Sequence, residues 1–67
     1  MIIEEIERAI SSASLGQEPT FIYLGREQIM RLKRYLFESL ARNYTKGTEY
    51  NGIEVVEVDK TSHLNVG

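Results

Sequence analysis

The chain has no cysteine, one proline and one histidine in 67 residues. Without cysteine there is no disulfide to support so small a fold, and the composition fits a reducing compartment. His63 alone cannot supply the several ligands that a tight metal site needs. No apolar run approaches the ~18–20 residues that cross a bilayer. The opening MIIEEIERAI carries three glutamates and one arginine, whereas a secretory leader has a basic start and an unbroken apolar stretch. The expectation is a cytoplasmic protein with no membrane association, no cofactor and no metal.

Small size is a constraint of its own. Area scaling gives a chain of this length a folded surface of roughly 4,300 Å², with about 60% of the unfolded surface buried. A core of that size supplies only about 3–5 kcal/mol. Self-association is the remaining common support, so a homo-oligomer is expected.

The net charge of −2 conceals an ordered pattern. Residues 1–19 hold four acids and one base, residues 26–46 six bases and two acids, and residues 48–67 four acids and one base. A basic middle between acidic flanks reads either as an anion-binding helix or as a helix neutralised by its own neighbours.

Ile2, Ile3, Ile6, Ala9, Ile10 and Ala13 recur on one helical face, which predicts an amphipathic helix over residues 1–14. Glutamates in its first turn suit the helix dipole. Residues 15–19 read as a connector. Thr20–Leu24 is β-branched and aromatic, with Pro19 placed where no ladder donor is needed. Because this strand is apolar on both faces, both faces call for a cover. Gly25 closes it and can cap the next helix. That helix is expected over 26–44, with Ile29, Leu32, Leu36, Leu40 and Tyr44 as its core stripe, widened by Met30, Phe37 and Ala41. Glu27–Arg31, Arg34–Glu38 and Glu38–Arg42 are spaced as ion pairs. Tyr50-Asn51-Gly52-Ile53 is a tight-turn signature. Ile53–Val58 and His63–Val66 follow as strands, with a break in alternation at Val55-Val56 that suggests a bulge or a doubly covered strand. The fold class is therefore α+β. A β-α-β-β unit over 20–67, one long helix on a three-stranded sheet, follows the amphipathic helix, and 1–67 form one domain.

Catalytic chemistry finds little support. His63 follows Ser62 in a turn, and neighbouring strand side chains point to opposite faces, so no nucleophile–base pair forms. Glu54, Glu57 and Asp59 read as an exposed polar face rather than a carboxylate site. Gly25 with Arg26 hints at an anion site at a helix N-terminus, although a plain strand-to-helix joint explains them as well. A non-enzymatic contact protein is expected. Ile3, Ile6 and Ile10 of the first helix, with Tyr23, Tyr35 and Phe37, form its candidate partner surface, because aromatic residues suit interfaces. The alternative is nucleic-acid binding through Arg26, Arg31, Lys33, Arg34, Arg42 and Lys46.

Three stretches carry a resemblance: Pro19-Thr20-Phe21-Ile22-Tyr23-Leu24, Tyr50-Asn51-Gly52-Ile53-Glu54-Val55-Val56 and His63-Leu64-Asn65-Val66-Gly67. In order and character this part of the chain resembles a strand-helix-hairpin stretch of bacteriophage major capsid proteins of the HK97-like fold. Such a subunit is several times longer, with a shell-forming long helix and an extended arm that are missing here. The resemblance implies a small phage or prophage protein with a virion-associated or host-interaction role. It brings no catalytic residues with it.

Overall fold

The computed structural model describes residues 1–13 and 19–67. Two helices and four strands follow in the order α1 (Ile2–Ala13), β1 (Phe21–Leu24), α2 (Arg26–Leu40), β2 (Glu49–Tyr50), β3 (Ile53–Glu57) and β4 (Leu64–Val66). The class is α+β. Residues 15–18 of the expected connector 15–19 lie outside the described residues, as does Ser14, the expected last residue of α1.

The sheet has four strands rather than three, in the order β2-β3-β1-β4. β2 is the addition, and it follows from the Asn-Gly turn. A two-residue turn needs a strand on each side, and Asn51 and Gly52 adopt the required positive φ, 51° and 80°,. β1 and β3 are parallel neighbours joined through α2. β4 does not form a hairpin with β3. It crosses the end of β1 and pairs with it antiparallel, Leu24 opposite Leu64 and Ile22 opposite Val66. The β1–β3 register runs unbroken from Phe21–Glu54 to Leu24–Glu57, so Val55-Val56 is no bulge.

Alternation along β1 sorts the sheet into two faces. Ile22 and Leu24 are fully buried and, with Val55, meet Ile2, Ile3, Ile6, Ile29 and Leu32 in one core. Both helices therefore pack on the same face, in contact with each other. Phe21, Tyr23 and Val56 point to the opposite face and are half-buried. No described element lies over them.

The helix α2 is shorter than its pattern suggests. Ala41 takes a left-handed conformation (φ 52°, ψ 38°) and ends it, while the Arg42 N–H turns back to the Leu36 carbonyl. The chain leaves before Arg42 can meet Glu38. Of the three expected ion pairs, Arg34–Glu38 forms at 3.6 Å, and Arg31 turns instead to Glu5 of α1 at 3.5 Å. Leu40, 50% exposed, does not join the core stripe, and Met30, Phe37 and Ala41 do not widen it, Met30 and Phe37 being 69% and 66% exposed. The core-facing place at the helix start belongs to Gln28, the one buried polar side chain among the described residues.

Gln28 belongs to a joint where three segments cross. The Gly25, Arg26 and Glu27 N–H groups donate to the carbonyls of His63, Lys60 and Thr61 at 2.9–3.0 Å. Gln28 Nε2 donates to Ser62 Oγ, and its Oε1 accepts the His63 N–H, both at 2.9 Å. Arg26 spans Asp59 at 3.0 Å and Thr61 at 3.3 Å. First-turn donors, which have no partner within the helix itself, are thus taken up by the loop 59–63. Gly25 is needed for space. A Cβ there would stand 2.7 Å from the His63 nitrogen and 2.9 Å from the Lys60 oxygen, both backbone atoms.

Gly25→Ala should accordingly cost about 2 kcal/mol or more through overpacking, which lowers Tm by roughly 8 °C or more in a domain this small. Thermal denaturation followed by circular dichroism checks it, and an unchanged Tm would mean the loop yields freely. Ile6→Ala, at a fully buried site, should cost about 2–5 kcal/mol. That approaches the whole stability of such a domain, so the variant should be largely unfolded at 25 °C.

Candidate functional site

The residues expected to meet a partner divide between core and surface. Ile3 and Ile6 are 8% and 0% exposed and belong to the domain's own core, and Ile10 packs partly against it. The apolar face of α1 therefore completes the monomer and is not a contact surface. Tyr35 is half-buried against the same core. Tyr23 and Phe37 remain available, on opposite sides of the molecule.

Two exposed faces result. One is the outward side of α2, where Met30, Lys33, Arg34 and Phe37 recur at helical spacing, with Leu40 beside them. An open groove of about 570 Å³ runs beside it, with Met1 and Met30 as apolar lining. The groove's charged walls, Glu27, Arg31, Arg34 and Glu38, balance and favour neither sign of ligand.

The other is the uncovered sheet face. Cα partnership arranges it in two rows. Glu49, Glu54 and Phe21 form the first, and Val56, Tyr23 and Asn65 the second. The Phe21 and Tyr23 rings lie 6.0 Å apart in a tilted arrangement. Glu49 stands directly opposite Glu54 on exposed positions. Like charges so placed are destabilising, and neither makes an ion pair among the described residues. Lys46 borders a hollow with Glu54 and Glu57 without coming within ion-pair distance of either.

The six basic residues form no continuous patch. Arg26 opens α2, and Arg42 and Lys46 lie beyond its other end, about 22 Å away along a helix of 15 residues,. Arg26 is held by Asp59, Arg31 by Glu5 and Arg34 by Glu38. The Lys33 ammonium lies 5.7 Å from the centre of the Tyr44 ring. The anion site suggested by Gly25 and Arg26 is closed by the loop carbonyls at the joint.

His63 gives its backbone to that joint. Glu54 and Glu57 fall on opposite faces of β3, and Asp59 turns to Arg26. Among the described residues, no three of His, Cys, Asp and Glu are placed to hold a metal ion, and no helix is long and apolar enough to cross a membrane.

Two tyrosine hydroxyls are perturbed. Tyr50 on β2 donates to Glu7 of α1 at 2.5 Å. That bond to a carboxylate, with burial second, pushes Tyr50 up to about 12 from an ordinary 10.0. Burial, then the Glu57 charge, raises Tyr44. No protein-family model, curated protein or solved structure matches this chain.

Sequence reasoning overlooked Gln28 and the Glu49–Glu54 opposition. The second was within reach, because the Asn-Gly turn fixes which residues face each other. Gln28 gave no signal, since its partners are 34 and 35 residues away.

Tyr50 ties α1 to the hairpin in a pH-dependent way. Its folded value lies above its unfolded one, so the bond contributes fully below pH 10 and is lost as pH rises toward 12,. Stability measured by urea unfolding should fall over that window in the wild type, and less steeply in Tyr50→Phe.

Proposed function

We propose that this chain is a non-enzymatic, small phage- or prophage-type protein that works through protein–protein contacts, assembling with copies of itself in the host cytoplasm or at the virion. The observation that carries the contact reading is β1. Its four residues, Phe21 to Leu24, are apolar on both faces, and described elements cover only one of them. A strand of that composition beside a parallel neighbour normally has cover on both sides. A partner would supply the second layer.

The phage-type part rests on the resemblance carried by Pro19–Leu24, Tyr50–Val56 and His63–Gly67. Those stretches contribute β1, the β2–β3 hairpin and β4 to one sheet. Nucleic-acid binding through Arg26–Lys46 remains the alternative. It is disfavoured by the spread of the basic residues and by the partners that four of them already have.

Light scattering over a wide concentration range tests the reading. The expected outcome is a mass above the 7.7 kDa of one chain, rising with concentration. A constant 7.7 kDa at the highest soluble concentration would overturn self-association. Salt-sensitive binding of DNA or RNA by that monomer would favour the alternative.

A further inference from the structure

The two exposed faces are complementary in chemistry and lie on opposite sides of the molecule. On the outward side of α2, the exposed Met30 and Phe37 are flanked by Lys33 and by the Arg34–Glu38 ion pair. On the open sheet face, Phe21, Tyr23 and Val56 are flanked by Glu49 and Glu54. Each joins an apolar centre to a charged margin: Lys33 is the excess charge on the helix side, where Glu38 offsets Arg34, and the Glu49–Glu54 pair outweighs the bordering Lys46 on the sheet side. We infer that α2 of one copy docks on the open sheet face of the next, head to tail. This deepens the self-association proposed above and rests on it.

Three arguments favour a second copy as the occupant. The first is the cover that β1 lacks. Helices commonly supply the second layer over a sheet with parallel strands, and α2 presents an apolar stripe on its outward side. The second is the Glu49–Glu54 opposition. Glu49 and Glu54 have no ion-pair partner among the described residues and are relieved by a cation brought from outside, and Lys33, whose ammonium has no acidic partner among those residues, stands beside the stripe that would enter. The third argument excludes the symmetric alternative. Two α2 helices packed antiparallel, with Met30 over Phe37 of the other, would bring Lys33 of each against Arg34 of the other. That crossing sets two pairs of like charges together with only Glu38 to offset them, whereas helix on sheet brings Lys33 to a pair of acids.

The contact is heterologous, so each copy keeps one unused face and assembly continues into a ring or an open array. The sheet face is only about 15 Å across, four strands at the usual spacing. A single contact therefore falls at the small end of interface sizes and is weak. Assembly grows with concentration and shrinks with salt.

Two single-face variants test it by light scattering. Phe37→Glu blocks the helix face at an exposed site, and Val56→Glu blocks the sheet face. Each alone should remain a monomer where the wild type assembles. Mixed in equal amounts they should form a dimer and nothing larger, because one intact face of each kind remains. If the mixture stays monomeric, or if either variant alone assembles like the wild type, the head-to-tail contact is wrong while self-association stands. A monomeric wild type removes both. Should Val56→Glu fail to fold by circular dichroism, Glu49→Gln/Glu54→Gln decides. These exposed positions leave the packing untouched, and the double variant should assemble roughly tenfold more weakly and with less salt dependence. Unchanged assembly by the double variant overturns the inference.

Discussion

Everything in this fold turns on the crossing of backbone over Gly25. Three chain segments meet there within hydrogen-bond distance: the end of β1, the start of α2 and the loop that leads into β4. The loop fills the first-turn donors of α2 and at the same time carries β4 over to the far edge of β1. Without close approach at Gly25 neither happens. The helix would begin with unmade donors, and β4 would have no route except back along β3. Gln28 fixes the crossing laterally, since one amide serves Ser62 and His63 together.

The rest of the core is arranged around that crossing. α2 starts from a fixed point and lays Ile29 and Leu32 on Ile22 and Leu24. α1 fills the remaining width of the same face with Ile2, Ile3 and Ile6. Two contacts at the rim orient it, Arg31 with Glu5 and Tyr50 with Glu7. Spending both helices on one side leaves the other side of the sheet open, and this is why surface chemistry carries the functional reading.

Elements with a strong local period were legible in the sequence. The apolar spacing of α1, the strand Phe21–Leu24, the Asn51-Gly52 turn and the short strand ending at Val66 all lie where the residue pattern places them. Non-local facts were not. The end of α2 depends on a left-handed Ala41, and nothing in an alanine announces positive φ. The place of β4 beside β1 depends on a loop crossing a glycine 38 positions before His63. The isoleucines of α1 look the same to a periodicity argument whether they face the domain or a neighbour, and only the packing shows that Ile3 and Ile6 face inward. Of the candidate surface, Phe37 and Tyr23 were visible as aromatic residues. The opposition of Glu49 and Glu54 follows from the Asn51-Gly52 turn, but its place on the same face as Phe21 and Tyr23 became visible only with the β1–β3 register.

The position of β1 within the sheet also has a consequence for folding. Both of its neighbours come from late in the chain, β3 from residue 53 and β4 from residue 64. Until those segments arrive, Phe21–Leu24 is an uncharged strand with two open edges, the condition in which unpaired strands of different molecules join each other. The nearby hairpin of β2 and β3 closes locally and fast, while the long-range pairings that protect β1 are slow to form. Misassembly during folding should therefore begin at these four residues, and the speed with which the hairpin reaches them sets how long the chain is exposed to it.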